Sequence, residues 1–363
     1  MKEILQKLSR GLELYQHEID DLIFGIKEDR FSETQIAGFL MALLMKGPTT
    51  GEIAAIARAM RKACIPIRPL VNGELTDTCG TGGGLTTFNV SSANALLSAA
   101  AGVKIAKHGS RSISASSGSA DVLEALGIEV ELEPRQAEML IEEVGFSFLY
   151  APLFHPVMMK VFTPENDLGI KTIFFTIIGP LINPANAKRH VLGVYQPRLI
   201  EQVAEVIAEL DFTHAMVIHG LDGIDEISLL GETSIAEIKE GKIENYTIVP
   251  EDFGMKRCTI DQIRGGDPQF NARIILDIFS GKETGPKRDM LLLNAAATLV
   301  VAGKASSLFE GVAQAREILD SGNAMAKMLE IRNRSREVKG VGEVEPAGIN
   351  QTHSNQGSNP HCG

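Results

Sequence analysis

Cysteine is scarce. Cys64, Cys79, Cys258 and Cys362 are the four in 363 residues, and none falls in a C-x-x-C pair. That spacing suits neither a zinc site nor a disulfide framework and predicts reduced thiols. No apolar run approaches the ~18 residues a membrane helix requires. The first residues, MKEILQKLSRGLELYQHEIDD, carry charge throughout and contain no apolar signal core. The expectation is a cytoplasmic protein with no membrane partner. Positive charge is also in deficit: 35 Lys+Arg against 46 Asp+Glu leave a net −11. This argues against binding nucleic acid by bulk phosphate neutralisation, though not against a local basic pocket.

What is present is an ordinary globular composition, 44% apolar and 22% charged, in a chain long enough for about two domains. Residues 1–70 show helical spacing only, as in Ile4-Leu5-Leu8-Leu12 and Ile36-Phe39-Leu40-Leu43-Leu44. Ser32 to Gln35 and Thr49 to Glu52 both read as capping boxes, with Gly47-Pro48 between two helices. A small all-helical N-terminal domain of about four helices is predicted. From residue 71 the texture is α/β. Strands are expected at Leu75–Cys79, Val103–Ala106, Phe146–Leu149 and Ala215–His219. Helices are expected near Ser91–Ala101, Ala120–Leu126, from Pro134, at Leu199–Leu210 and through 271–333, with a hairpin around Gly241-Lys242. A central sheet covered by helices follows, over 71–334. Residues 151–187 are rich in proline and interrupt the alternation, and part of 160–187 is expected to join the helical domain. From Ser335 to residue 363 the composition of Gly, Asn, Ser, Pro and Glu predicts a disordered tail, which holds His353, His361 and Cys362.

Two loops carry the chemistry. In Asp77-Thr78-Cys79-Gly80-Thr81-Gly82-Gly83-Gly84, four glycines in five residues let the backbone approach a ligand and aim N–H groups at it. A helix starting near Ser91 adds its positive end, making an anion site. No Gly-Lys-Ser/Thr follows, so the loop is not of Walker type, and it does not fit G-x-G-x-x-G. The second loop runs from Lys107 to Ser119, with six serines, two glycines and three basic side chains in thirteen residues. Hydroxyls, N–H groups, Lys107 and Arg111 suit phosphate oxygens. Asp222, Asp225 and Glu226 follow the strand ending at His219. Beside two phosphate loops they suit Mg²⁺, which takes few carboxylates and keeps substrate phosphates as ligands.

Gly80-Thr81-Gly82-Gly83, Asn89-Val90-Ser91, Lys107-His108-Gly109-Ser110-Arg111, Ser117-Gly118-Ser119-Ala120-Asp121, Phe154-His155-Pro156, Gly179-Pro180-Leu181-x-Asn183-Pro184 and Asp222-Gly223-x-Asp225-Glu226, in that order, resemble the anthranilate phosphoribosyltransferase family over about residues 5–330. The resemblance implies a small helical domain hinged to a larger α/β domain of the nucleoside phosphorylase/phosphoribosyltransferase type, dimerising through the helical domain. It implies transfer of phosphoribosyl from 5-phosphoribosyl diphosphate (PRPP) to the amine of anthranilate, releasing diphosphate, in tryptophan biosynthesis. Carried over, Gly80, Thr81, Gly82, Gly83, Gly84, Thr87, Asn89, Val90, Ser91, Ser92, Lys107, His108, Gly109, Ser110, Arg111, Ser112 and Ser119 would hold PRPP. Ser91, Asp225 and Glu226 would hold Mg²⁺, and Gly80, Ser110, His155 and Glu165 would line the acceptor site. No side chain would act as nucleophile: positioning and electrostatic stabilisation of the leaving diphosphate would carry the reaction.

The sequence departs from the family at four places. Gly84 stands where the family has Asp, and the stretch before Asn89 is one residue short. Ser110 replaces an Asn, and Thr176 another. Glu165 falls, counting from His155-Pro156, where the family's arginine binds the anthranilate carboxylate. Losing a charge-assisted pair of roughly 1.5–3 kcal/mol costs about 10- to 100-fold in affinity. Lys160 and Lys171 are the candidates to take over. Two alternatives therefore stand beside anthranilate: a paralogue with another aromatic or amine acceptor, and a non-enzymatic, nucleic-acid-binding member of the fold. The acidic charge and the Asp225-Glu226 pair argue against the last, and that pair also argues against a nucleoside phosphorylase.

Overall fold

The computed structural model describes residues 1–82, 84–112 and 116–341. Both expected capping boxes form. Ser32 Oγ accepts from Gln35 N while Gln35 Oε1 accepts from Ser32 N at 3.0 Å, and Thr49 and Glu52 do the same. They start α3 (Glu33–Lys46) and α4 (Thr50–Ala63), which follow α1 (Lys2–Leu8) and α2 (Gln16–Lys27). Glu52 is buried yet fully used: it also accepts from Leu14 N and pairs with Lys46 at 2.7 Å. Ile19, Leu22, Phe39, Ile53 and Ile56 form the bundle core.

The α/β part has one seven-stranded sheet in the order β3-β2-β1-β4-β5-β6-β7. Its strands are β1 (Thr76–Gly80), β2 (Ile105–Gly109), β3 (Phe146–Tyr150), β4 (Arg189–Gly193), β5 (His214–Gly220), β6 (Thr233–Lys239) and β7 (Lys242–Ile248). β1 to β5 are parallel, and β6 and β7 form an antiparallel hairpin at Glu240-Gly241, both at positive φ as a tight two-residue turn requires. One face carries α5 (Val90–Ala100), α6 (Ser119–Ala125) and α7 (Pro134–Val144) together with the C-terminal helices. The other packs on α11 (Arg198–Glu209), whose inner residues Val203 and Ile207 run into the helical bundle's core.

The proline-rich stretch forms α8 (Ala151–Phe154), α9 (Pro156–Leu168), a π-helical turn (Phe174–Ile178) and α10 (Gly179–Leu181). Val157, Val161 and Phe174 pack into the helical bundle, with Phe174 edge-on to Phe39. The C-terminal part is α12 (Ile260–Ile263), α13 (Pro268–Phe279), α14 (Pro286–Val301), α15 (Leu308–Asp320) and α16 (Asn323–Lys339).

Three expectations are corrected. The tail does not begin at Ser335: α16 continues to Lys339. Ser335 is buried and accepts from Glu129 N, Gln136 donates to Val338 O, and Arg334 pairs with Glu143 and Glu337. Ala324, Met328 and Ile331 bury the first part of the helix, while its last turns are held by polar contacts to α7 and its flanks, so the apolar signal ends early. Residues 342–363 lie outside the described residues. The second strand begins two residues later than expected and runs to Gly109, so Lys107 and His108 stand on a strand rather than in the loop after it. The strand Arg189–Gly193, which the apolar alternation did not flag, lies in the middle of the sheet. Among the described residues no helix is long and apolar enough to cross a membrane.

Candidate active site

From β1 the chain lays β2 and β3 to one side and β4 and β5 to the other, so a crevice opens beyond the C-terminal ends of β1 and β4. Gly80 and Gly193 end those strands as register partners. The acidic loop wedges between them. A Cβ on Gly193 would lie 1.7 Å from the Asp225 carbonyl oxygen, and one on Gly80 would lie 2.3 Å from Asp225 Oδ2. Gly82, at φ +66°, donates its N–H to Asp225 Oδ2 at 2.9 Å. Leu85 N donates to Gly223 O, and a Cβ on Gly84 would meet that same carbonyl at 2.4 Å. The glycine-rich and acidic loops are therefore zipped backbone to backbone. Thr81 N donates to Gly193 O, and its hydroxyl accepts from Tyr195 N. Gly83 lies outside the described residues.

α5 brings its first turn to the same place. Asn89 does not cap the helix with its side chain; Asn89 Oδ1 accepts from Ser117 Oγ and Asn271 Nδ2, tying the turn to the second loop and to α13. Val90 opens the helix, and Thr87 donates to Phe88 O just before it. Ser91 N–H faces Glu226, and Ser91 Oγ accepts from Lys107 Nζ at 3.3 Å. Ser92 Oγ is buried without a partner among the described residues. Lys107 is fully buried and also donates to Thr78 O at 2.6 Å. Burial lowers its pKa, and Asp77 works against that.

Desolvation raises the Asp225 carboxyl, with the Gly82 N–H opposing. Glu226 is raised well above the usual range by desolvation and then by Asp225 beside it. Two such carboxylates next to a serine hydroxyl form a hard oxygen set that suits Mg²⁺, and the Gly80 cradle leaves Asp225 room that any side chain there would take. The residues fit the metal.

The second loop closes on itself. Asp121 Oδ2 accepts from Ser112 N and Gly118 N, Ser119 Oγ donates to Ser110 O, and a Cβ on Gly109 would meet Ser119 Oγ at 2.4 Å. Ser110 is exposed. Arg111 is not an uncommitted cation: its guanidinium holds Glu124 and, at 2.9 Å, Glu131, over the Tyr150 ring. Ile113, Ser114 and Ala115 lie outside the described residues.

On the acceptor side, His108 and His155 meet edge to face, centroids 4.8 Å apart, both buried. His108 Nε2 and both ring nitrogens of His155 have no hydrogen-bond partner among the described residues. Burial pushes His108 down to about 4 and His155 well below its usual value, so both rings are neutral. Glu165 departs from its expected placing. It is 5% exposed, and its carboxylate accepts from the Thr172 N–H at 3.0 Å and from the Thr172 hydroxyl. It closes the turn after α9 instead of presenting a charge to a ligand. Lys160 is no substitute cation, since it donates to Lys27 O and pairs with Asp29, both at 2.6 Å. Thr176 Oγ1 donates to Thr172 O.

Sequence reasoning missed several supporting residues. Asp77 is fully buried. It accepts from Thr78 N and His108 N, and from Asn183 Nδ2 at 2.8 Å. Asp77, Cys79 and His190 place potential ligand atoms within 4.8 Å of one another, though both Asp77 oxygens already accept from protein donors. Gly193 had only an apolar run before it as signal.

Residues 72–325 match the family model "Glycosyl transferase family, a/b domain" and residues 2–64 the corresponding "helical bundle domain". The chain is 48% identical over 328 residues to the anthranilate phosphoribosyltransferase of Petrotoga mobilis, covering 90% of this chain and 94% of that one. It is 46% identical to that of Methanosarcina acetivorans, over 95% of this chain and 92% of the relative. The crystal structure of the Thermus thermophilus anthranilate phosphoribosyltransferase superposes with TM-score 0.85 at 40% identity, over 92% of this chain and 99% of that one. The Saccharomyces cerevisiae enzyme in complex with PRPP and Mg gives 0.83 at 26% identity, over 93% and 98%. By sequence and by fold, the chain belongs to the anthranilate phosphoribosyltransferase family of pentosyltransferases.

Proposed function

We propose that this protein transfers the phosphoribosyl group of PRPP to anthranilate with Mg²⁺, releasing diphosphate, as a step of tryptophan biosynthesis in the cytoplasm. The observation that carries the reading is the meeting of Lys107, the Asp225-Glu226 pair, the glycine loop and the first turn of α5 in one crevice. The diphosphate of PRPP lies in the crevice between the glycine-rich loop, the first turn of α5 and the loop after β2. Lys107, desolvated and already seated on Ser91, opposes the negative charge that grows on the leaving group. Mg²⁺, when bound by Ser91, Asp225 and Glu226, neutralises that charge as a Lewis acid. The amine nitrogen forms its bond to ribose C1 as the C1–O bond breaks, and the new amine sheds one proton.

The acceptor reading draws support from the relatives, which are named for anthranilate, and from one feature here. Glu165 is turned onto Thr172, so the family's arginine is lost without a facing negative charge in its place. The neutral His108–His155 pair offers polar atoms to a small aromatic. A paralogous transferase with another aromatic amine is the second reading, favoured by Ser110 and by the commitment of Lys160 to Asp29. A homodimer through the helical domain fits the exposed Tyr15, Phe24 and Met45 on that domain. Calorimetric titration with PRPP tests the donor half: binding that requires Mg²⁺ and is lost in Glu226→Gln supports the reading. Absence of PRPP binding overturns it.

A further inference from the structure

Outside the residues that line the crevice, α14 carries a polar side chain with no place in an apolar layer. Asn294 is 1% exposed among Leu291, Leu292, Leu293 and Ala295, where an amide is tolerated only if it is hydrogen-bonded. Its amide instead makes a matched pair with one residue of the acidic loop. Ile227 N donates to Asn294 Oδ1 at 2.9 Å, and Asn294 Nδ2 donates to Ile227 O at 3.0 Å; the second Nδ2 proton goes to Met290 O. Ile227 directly follows Glu226, so holding its N–H and its carbonyl sets the peptide planes on both sides and hence where Glu226 points. The hold extends further. Asn94, one turn into α5 from Ser91, donates to Asn294 O, to Thr298 Oγ1 and to Thr78 Oγ1. Thr78 O in turn receives Lys107. One buried chain of amides and hydroxyls thus joins the acidic loop, the helix bearing Ser91 and the strand bearing the lysine contact.

We infer that Asn294 is a positioning residue, which pre-sets the Asp225-Glu226 loop for the metal–diphosphate complex before either ligand arrives. The inference rests on the proposed reading of that loop. Supporting groups behind metal ligands typically govern affinity by 10- to 100-fold. Asn294→Asp keeps the acceptor for Ile227 N, loses the donor to Ile227 O, and sets an oxygen against that carbonyl. The expected result is a Kd for Mn²⁺, measured in the presence of PRPP from the paramagnetic resonance of free Mn²⁺, that rises about 10- to 100-fold. KM for PRPP should rise with it while KM for anthranilate stays put. Ser335→Ala removes a buried polar group of α16, the acceptor of Glu129 N, that lies outside this chain of hydrogen bonds. A merely structural role predicts that Ser335→Ala and Asn294→Asp behave alike, and that result overturns the inference.

Glu226→Gln separates the two levels. If it abolishes Mn²⁺ binding while Asn294→Asp matches the wild type, the positioning role is wrong and the site assignment stands. If Glu226→Gln binds Mn²⁺ as the wild type does, the site assignment itself fails. Should Asn294→Asp not fold, the wild-type protein decides. The Ile227 amide is expected to be as protected from hydrogen exchange as the core strands without any ligand, whereas protection appearing only with Mn²⁺ and PRPP overturns the inference.

Discussion

At the scale of single residues, Glu165 shows how a position can keep its place in the chain and change its employment. Burial raises its carboxyl, with Thr172 opposing, so ionising it in the fold is costly. An acid raised in the folded state stabilises below its unfolded pKa, and that contribution is lost as pH rises through the raised value. Glu165→Gln keeps an acceptor for Thr172 N and carries no charge. The wild type should therefore lose stability relative to Glu165→Gln as pH rises from about 4.5 through the raised value, read from urea midpoints at several pH values. Parallel pH profiles would contradict the burial argument. The same variant should leave KM for anthranilate within about threefold of the wild type, since a neutral group turned onto Thr172 gains or loses no contact with the acceptor. A tenfold fall would mean that the carboxylate faces the acceptor after all. The sequence announced Glu165 as an anomaly and could not announce Thr172 as its partner, because that contact depends on how the chain turns after Gly169.

At the scale of elements, strand ends make the site, and two glycines allow them to. Gly80→Ala sets a Cβ against the movable carboxylate of Asp225, whereas Gly193→Ala sets one against its backbone carbonyl. A carboxylate can rotate away and a loop backbone can do so only as a unit. Gly193→Ala is therefore expected to weaken Mg²⁺-dependent PRPP binding more than Gly80→Ala, by about tenfold or more between them, in calorimetric titrations. Equal effects would mean that the acidic loop yields freely. What was legible here followed from local signals: capping boxes at Ser32 and Thr49, proline at the start of α7, and glycine density after β1. Gly193 was not legible, because its requirement comes from a loop distant in the chain. Nor was the end of α16 past residue 334, which is held by Arg334 with Glu143, Gln136 with Val338 and Ser335 with Glu129 and not by further apolar residues.

At the scale of the whole molecule, the helical domain meets the sheet through strands of chain that bond to one another. Ile65 N donates to Phe154 O and Ile67 N to Pro184 O, while Asn183 reaches Asp77 beneath the site. His190 lies in the same dry layer, and burial lowers its pKa to about 3. The unfolded chain binds that proton below about pH 6.5 and the folded chain does not, so its contribution to stability falls with pH in that window. The stability of the wild type minus that of His190→Gln should fall by roughly 1.4 kcal/mol per pH unit between about pH 6.5 and 4.5, and be flat above. A constant difference across urea titrations would contradict the assignment of a neutral buried ring. The chemistry at the crevice is open to one assay. The chain contains no tryptophan, so anthranilate fluorescence can be followed without an indole background. With PRPP and Mg²⁺, the protein should consume anthranilate and release one diphosphate for each molecule lost, and should do neither when PRPP or Mg²⁺ is withheld. Tight PRPP binding with anthranilate left unconsumed would contradict the account.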